Sequence, residues 1–475
     1  MRRPRIAAPV SALIVGLLGA WGAPAGAQVR ATMKLNDSRT QGTHESGRLL
    51  LYTPRPVEEG SSISHWDTSA RPNLLMEPFS TGDLRYLRLD LTKNLMKDIF
   101  WRSGKLKINV TDSSPAGTGF ADPTPFVGAP GNPAPTLGEA RTNLFNAVLG
   151  AWANTLRSPV EVDVVVSWEP LACDENLGAT LGAATTTVII GLEGGGLPET
   201  TFFPAALAEA LLEEDLTGPP AEGGGDILIF MNSDIDKECL GSGTGFYYGL
   251  DGKSPSGLFA AWETLLHELA HGLGFANFTN ERTGARLGGG PSIYDLFTYD
   301  EVKGKYWDQL RKKQRVRSAV NFRQVTWAGP SANARAARIL KKGVVELEVH
   351  SPASLAGTYA VELAQFGPRP PRSDGLTADL ACMRDAATDG SAFNGCSAAT
   401  QPEEVAGKIA LVDRGECEFV VKVANAQAAG AVGVVVANNE GPPFAMGGSD
   451  ASLVIPSLMV GKTDGKRLHK VACKG

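Results

Sequence analysis

A five-residue stretch, His267-Glu268-Leu269-Ala270-His271, combines two imidazoles and one carboxylate within little more than one helical turn. Because residues i and i+4 lie on one face of a helix, the imidazoles of His267 and His271 can bind the same ion. Glu268 then lies beside that ion, where its carboxylate can take a proton from water. The motif predicts a helix that binds one Zn²⁺ per chain, with Glu268 as the catalytic base. The alternative interpretation is two surface histidines one helical turn apart.

The sequence around this motif predicts the elements that position it. The pattern of apolar residues indicates a helix over Leu258–Leu273 and a buried strand over Asp226–Asn232. Farther upstream, apolar residues recur every four positions across Thr136–Leu156, which predicts an amphipathic helix, and a strand at Val160–Trp168 follows. This order of helices and strands favours a mixed α+β catalytic domain.

Composition limits the number of domains and the class of partner. A chain of 475 residues is long enough for two or three domains. Its net charge is −6, from 45 basic and 51 acidic residues, and it has no long cluster of Lys and Arg. This charge pattern argues against nucleic acid as a partner. The sequence makes no prediction about oligomeric state.

The first 27 residues have the pattern of a signal peptide. Three arginines precede a largely apolar stretch, Ile6–Gly22, and Ala25-Gly26-Ala27 offers a cleavage site. We therefore expect a secreted protein, extracellular or periplasmic, that begins near Gln28 and has no later membrane span. A membrane anchor is the alternative. The six cysteines are an even number without a CxxC pair, and their positions predict one disulfide in the middle of the chain and two near its end.

The residues after the motif resemble a metzincin signature, HExxHxxGxxH, in which Gly274 allows a sharp turn and the last position is the third ligand. Here that position is Asn277, a poor zinc ligand, so another residue must complete the site. His65 stands out among the remaining histidines because Met76 follows it in a proline-containing segment, HWDTSARPNLLMEP.

These features together resemble the leishmanolysin-like metzincins, whose ligand helix also reads HExxHxLGF. The resemblance implies that His65 is the third zinc ligand and that Met76 forms the Met-turn, an apolar floor beneath the metal. It further implies a zincin fold and a secreted zinc endopeptidase that hydrolyses proteins or peptides. Asp226–Asn232 would be the edge strand that pairs with substrate.

The order of these segments is reversed relative to that family. Residues 104–355, which hold the HExxH helix, resemble the opening of the exported bacterial members, and residues 28–103, which hold His65 and Met76, resemble the closing segment. The chain is therefore interpreted as a circular permutation with its join at Trp101–Lys105, which is acceptable if the ancestral termini were neighbours. A misassembled or fragmentary reading frame is the alternative.

Residues 356–475 resemble a protease-associated (PA) domain, through VAGKIALVDRGECEFVVKVANAQAAGAVGVVVANN. The resemblance implies a small α/β module without catalytic residues that binds peptide or partner surfaces or restricts access to an active site. Asn277 and the reversed order of the segments support an alternative function for the chain. A non-catalytic exported protein could display this module on a degenerate metzincin scaffold.

Three acidic residues have open roles on the sequence alone. Asp67 is either an acceptor for a zinc-bound imidazole or a solvated loop carboxylate. Asp295 would replace His65 as third ligand if the permutation interpretation fails. Glu263, four residues before His267, is expected on the helix surface. The motif alone also allows hydrolysis of a non-peptide substrate.

Overall fold

The computed structural model describes residues 28–175, 178–372, 374–386 and 391–473. The predicted signal peptide, residues 1–27, lies outside these ranges. The chain has two compact units. The larger unit holds residues 35–345 with 440–442, and the smaller unit holds the described residues of 1–34, 346–439 and 443–475. Within the described ranges, no helix is both long and apolar enough to cross a bilayer.

The helices and strands are numbered along the chain. The helices are α1 (Thr92–Asp98), α2 (Leu137–Ala153), α3 (Ala205–Leu212), α4 (Ala261–Gly272), α5 (Lys312–Ser318), α6 (Pro330–Ile339), α7 (Phe419–Ala428) and α8 (Lys462–Ala472). The strands are β1 (Val29–Thr40), β2 (Leu49–Leu50), β3 (Arg102–Ser103), β4 (Ile108–Asp112), β5 (Leu156–Arg157), β6 (Val162–Glu169), β7 (Cys173–Asp174), β8 (Gly178–Ala179), β9 (Gly182–Thr186), β10 (Ile189–Leu192), β11 (Thr201–Pro204), β12 (Ile227–Asn232), β13 (Gly245–Tyr247), β14 (Leu258–Ala260), β15 (Thr279–Asn280), β16 (Ala285–Arg286), β17 (Thr298–Asp300), β18 (Lys305–Tyr306), β19 (Val325–Trp327), β20 (Lys342–Ser351), β21 (Gly357–Tyr359), β22 (Val361–Leu363), β23 (Leu376–Cys382), β24 (Ile409–Asp413), β25 (Gly433–Ala437) and β26 (Ser457–Val460).

The main sheet of the larger unit has the order β4-β6-β12-β9. Strands β4, β6 and β12 are parallel, and β9 is antiparallel to β12. The prediction of Asp226–Asn232 as the edge strand is wrong, because β12 is paired on both sides. The edge strands are β4 and β9, and β9 is the one beside β12. Its short GAATT sequence has no Val, Ile or aromatic residue to indicate a strand.

Helices α2 and α4 pack together and against this sheet. The α2 residues Leu144, Val148 and Trp152 are fully buried, which confirms the amphipathic helix predicted there. The Trp152 indole donates to the carbonyl oxygen of Leu266 in α4 at 3.3 Å. Helix α4 begins three residues later than predicted, because Leu258–Ala260 pairs with β13 as β14.

The segment that precedes the main sheet in sequence also belongs to the larger unit. Strand β2 pairs with β19 in a second sheet of order β18-β17-β19-β2. The indole of Trp101, at the predicted join, donates to the carbonyl oxygen of Leu273 at 2.8 Å, directly after α4. Residues 35–103 therefore complete the unit that holds the HExxH helix.

The smaller unit contains a sheet of order β21-β20-β1-β23-β24-β25-β26-β22. Strands β23 to β26 are parallel, and β24 and β25 are almost wholly buried, as their continuous apolar sequences predict. Residues 29–33 of β1 pair with residues 376–380 of β23. The range 28–103, which the sequence assigns to one segment, is thus divided, because a strand's own sequence does not specify its partner.

Three disulfides are distributed along the chain as predicted, with one in the middle of the chain and two near its end. Cys173 is bonded to Cys239 in the larger unit. In the smaller unit the pairs are Cys382–Cys473 and Cys396–Cys417.

Candidate metal centre

Three histidine side chains from two distant segments meet in the larger unit. The Nε2 atom of His267 lies 3.0 Å from that of His65 and 3.1 Å from that of His271, and the last two are 3.3 Å apart. Nitrogen ligands that each lie about 2.0–2.1 Å from one ion have separations of this size. The structure therefore brings His65, His267 and His271 together in an arrangement that fits a single metal ion.

Backbone carbonyl groups orient all three rings. The Nδ1 atom of His65 is 2.9 Å from the Ser61 oxygen, that of His267 is 2.7 Å from the Leu75 oxygen, and that of His271 is 2.7 Å from the Phe275 oxygen. A carbonyl oxygen only accepts hydrogen bonds, so each Nδ1 carries the proton. Each Nε2 consequently presents a lone pair to its two neighbours, which suits a cation at their centre.

Local chain geometry supplies two of these carbonyl groups. Gly274 has a φ of +121°, which strains any residue with a side chain, and the turn there returns the Phe275 oxygen to His271. On the other side of the centre, Met76 follows Leu75 directly and is fully buried. The Met76 carbonyl accepts from the amide of Trp66 at 2.8 Å, which holds the Met76 segment beside His65.

Burial sets the protonation of the three imidazoles. It lowers the pKa of His267 to about 3, with a further contribution from the charge of His271. Burial alone lowers the pKa of His271 to about 4, although the Phe275 carbonyl opposes the shift. The pKa of His65 falls well below its usual range through burial and the charges of the other two rings. All three rings are therefore neutral near pH 7, as metal ligands must be.

Glu268 lies on the same helix and faces β9, an edge strand of the main sheet. It is only 6% exposed, and burial raises the pKa of its carboxyl group to about 8. A β-carbon placed on Gly182 of β9 would lie 3.0 Å from the Glu268 Cγ, 3.1 Å from its Oε1 and 3.0 Å from the Thr264 methyl carbon. Because residue 182 is a glycine, the Glu268 side chain can lie against β9 without a steric clash.

The histidines and Glu268 line a cleft of about 860 Å³. One wall is formed by residues 178–186, which run through β8 and β9. The lining also includes Leu75, Glu77 and Phe79 of the segment that follows His65. Burial raises the pKa of Glu77 to about 8. A cleft with one extended wall can accept a segment of extended chain.

Glu263 is buried and joins α4 to the segment after Met76, so its predicted position on the helix surface is wrong. Its Oε1 accepts from the Ser80 hydroxyl at 2.9 Å and from the Thr81 amide at 3.3 Å. Burial raises the pKa of the Glu263 carboxyl group. Asn232, at the end of β12, has a comparable role because its side chain donates to the carbonyl oxygen of Thr180, just before β9.

The other sequence candidates lie outside the histidine cluster. Asn277 donates to Glu281 at 2.7 Å, and Asp295 is buried with its Oδ2 accepting from the amide of Ser292. Asp67 accepts from Ser69 and from the guanidinium of Arg323 at 3.1 Å, and no imidazole is among its partners in the described part of the chain. Sequence reasoning missed Gly182 and Asn232, whose roles depend on which strands meet.

Comparison with known families identifies one domain. The model of the PA domain matches residues 376–468. The chain therefore contains a PA domain. The match falls in the smaller unit and covers β23 to β26 with α7 and most of α8.

The curated relatives share a minor part of the chain. Leucine aminopeptidase 2 of Trichophyton equinum is 32% identical over 139 residues, which are 29% of this chain and 26% of the relative. The ER degradation-enhancing alpha-mannosidase-like protein 3 of Homo sapiens is 44% identical over 82 residues, which are 15% of this chain and 9% of the relative. The chain thus spans 9% to 26% of the length of these relatives, whose names denote two classes of enzyme.

Two solved structures give matches of similar extent. A zinc aminopeptidase from Bacillus subtilis is 26% identical, with 26% of this chain and 27% of that chain covered and a TM-score of 0.20. An aminopeptidase from Aneurinibacillus sp. strain AM-1 is 28% identical, with 24% of this chain and 25% of that chain covered and a TM-score of 0.19. Structural likeness of this size carries no argument about the larger unit.

Proposed function

We propose that the chain is a zinc-dependent endopeptidase whose active site lies in the larger unit. His65, His267 and His271 would hold one Zn²⁺, Glu268 would act as general base, and proteins or peptides would be the substrates. The observation that carries this proposal is the convergence of three Nε2 atoms within 3.0–3.3 Å of each other. The names of several curated relatives, leucine aminopeptidases, support a peptidase function.

The donor set fits zinc better than the hard divalent cations. Three neutral imidazoles suit Zn²⁺, whereas Ca²⁺ and Mg²⁺ prefer oxygen ligands. Catalytic zinc sites have three protein ligands, which leaves a fourth position open.

A zinc ion supplies a Lewis acid that polarises the scissile carbonyl and makes nearby water acidic. The residues of the chain perform the remaining tasks. Glu268 accepts a proton from the attacking water at its carboxylate and donates it to the nitrogen of the leaving amine. Burial raises the pKa of this carboxyl group to about 8 in the metal-free protein, and a Zn²⁺ ion beside it would favour the carboxylate form that accepts the proton. The small side chains of Gly182, Ala183 and Ala184 allow a substrate backbone to approach β9.

The architecture supports the metzincin type, with a permuted chain order, as the finer assignment. An antiparallel edge strand, β9, borders the cleft, and the turn at Gly274 follows the HExxH helix. Met76 is buried in the segment that carries Leu75, the acceptor for His267. We assign Met76 to the Met-turn on this basis, and the PA domain to binding peptide or partner surfaces. The three disulfides support export from the cytoplasm.

The test combines metal analysis with a doubly blocked peptide. Purified full-length protein should contain about one zinc per chain. It should also cleave internal bonds of a peptide that is acetylated at its N-terminus and amidated at its C-terminus. Glu268→Gln should retain zinc and lose cleavage, because the base is removed while the three ligands remain. An aminopeptidase would cleave only the free-amine form of the same peptide.

The alternative, a non-catalytic exported binding protein, makes a different prediction for the same samples. Such a protein would cleave neither form of the peptide, with or without added zinc. Absence of zinc from the wild-type protein after dialysis against micromolar zinc would reject the metal centre itself.

A further inference from the structure

The disulfide between Cys396 and Cys417 has a buried lysine next to one of its two sulfur atoms. Lys422 on α7 is 0% exposed, and its Nζ lies 3.3 Å from the Cys396 Sγ. The same Nζ donates to the carbonyl oxygens of Asn394 and Gly415. These two carbonyl groups hold the ammonium group in place independently of the disulfide bond.

The second cysteine has acidic neighbours in the chain. Cys417 lies between Glu416 and Glu418, both of which are exposed. A nearby ammonium group stabilises a thiolate, and nearby carboxylates destabilise one. Asp413 is a charged group near Lys422 that is half-buried, and burial raises its pKa while His469 and Lys422 lower it. The two sulfur atoms therefore differ as leaving groups, and Cys396 is the better one.

Neither cysteine of this disulfide is fully buried. Both cysteines are half-buried and lie outside the regular elements, Cys396 before β24 and Cys417 in the loop between β24 and α7. In the described part of the chain, no lysine or arginine nitrogen forms a hydrogen bond to a sulfur of Cys173–Cys239 or Cys382–Cys473. Cys173–Cys239 is therefore the better internal reference for the reactivity of the first, because a ring nitrogen of His469 lies within 4.8 Å of the Cys382 and Cys473 sulfur atoms.

We propose that the Cys396–Cys417 disulfide is a thiol-exchange site that accepts a small thiol on Cys417. The thiolate of the incoming molecule attacks the Cys417 Sγ and forms a mixed disulfide there. The electron pair of the broken S–S bond goes to Cys396, which leaves as a thiolate beside the Lys422 ammonium group. A second thiol can then displace Cys417, which takes a proton from water as the two small thiols leave joined as a disulfide.

The first experiment locates the mixed disulfide in the full-length wild-type protein. The protein is incubated with reduced glutathione, quenched in acid, digested and analysed by mass spectrometry. We expect glutathione on Cys417 in about tenfold excess over Cys396, because attack on Cys417 expels the better leaving group. The other two bridges should remain oxidised over the same time. Equal labelling of the two cysteines, or labelling no faster than at the other bridges, would overturn the proposal.

The second experiment measures the two thiols separately. Cys417→Ser leaves Cys396 as a free thiol, and Cys396→Ser leaves Cys417. The pH dependence of iodoacetamide alkylation should give Cys396 a pKa at least about one unit below the ordinary 8.5 and Cys417 a pKa at or above it. Adding Lys422→Met to Cys417→Ser should return Cys396 to about 8.5. If that variant does not fold, the comparison of the two serine variants still decides the outcome, since equal values reject the proposal.

Discussion

The Nε2 atoms of His65 and His267 lie 3.0 Å apart, although 202 positions separate the two residues in the chain. The ring of His267 is oriented by Leu75, which belongs to the same segment as His65. A ligand set drawn from such distant segments exists only when the larger unit is folded. Metal binding and folding of residues 35–345 are therefore linked, and a metal that binds the three histidines stabilises this unit.

Replacement of His65 should weaken zinc binding. Loss of a partner outside the first coordination shell already costs about 10- to 100-fold in metal affinity, so we expect His65→Ala to cost more than about 100-fold. Competition with a chromophoric chelator measures this affinity. His350→Ala is the matched control, because His350 is a half-exposed residue of the smaller unit, and it should bind zinc as the wild type does. Wild-type affinity in His65→Ala would remove His65 from the site.

Gly182→Ala should reduce the catalytic rate without releasing zinc. Its backbone conformation suits alanine, so the effect comes from the added carbon, which presses on Glu268 and Thr264. Displacement of a catalytic group by a few tenths of an ångström should lower kcat by roughly tenfold with little change in KM. Steady-state kinetics on the blocked peptide would measure both constants.

Two further variants assign the cause of that effect. Gly150→Ala in α2 is the control, because a β-carbon there meets no atom within 4 Å. The double variant Gly182→Ala/Thr264→Ser removes the Thr264 methyl group. If it restores the wild-type rate, the strain acts through Thr264, and the assignment to Glu268 is wrong.

A pair of buried carboxyl groups should make stability depend on pH. Burial and the charge of Glu209 raise the pKa of Asp226 to about 7, although the amide of Asp163 opposes the shift. Between about pH 4 and pH 7, the Asp226 carboxyl group is therefore protonated in the folded state and ionised in the unfolded chain. The free energy of unfolding should consequently fall as the pH rises through this range. Glu209→Gln should reduce that fall by about 1 kcal/mol.

Tryptophan fluorescence in urea is the appropriate probe for this comparison. All tryptophans after the predicted signal peptide lie between residues 66 and 327, so the signal reports the larger unit. Measurements at pH 5 and pH 8 in excess chelator exclude any effect of zinc. Glu139→Gln, a change at an exposed residue of α2, is the control. Identical pH dependence in Glu209→Gln and wild type would show that Glu209 does not contribute.

The proposed permutation should be reversible by design. Val29 pairs with Leu380 on β23, and Cys473 is bonded to Cys382 on the same strand with a Cα separation of 5.2 Å. Residues 29 and 473 therefore lie within about 18 Å of each other, a distance that a linker of about six glycine and serine residues can span. A protein with this linker and new termini between Gly104 and Lys105 should fold and bind zinc. The control, opened within β12, should not fold, because it interrupts the main sheet.

Several local elements of this protein are determined by sequence alone. The spacing of apolar residues specifies α2 and the strands β24 and β25, because burial on one face or on both imposes a period that can be counted. The HExxH spacing places His267 and His271 on one face of α4 for the same reason. His65 and Met76 are recognisable only through family resemblance, since nothing in their own spacing relates them to position 267.

The tertiary structure alone decided which segments meet. It made β9 an edge strand in place of β12, added residues 29–33 to the sheet of the PA domain, and placed Gly182 against Glu268. It also supplied the carbonyl of Leu75 that orients His267. Strand partners and backbone acceptors have no residue signature, because every residue carries the same carbonyl group and a strand can pair with any neighbour of suitable pattern. The chemistry of the motif is therefore set by residue type and spacing, and the geometry that surrounds it is set by packing.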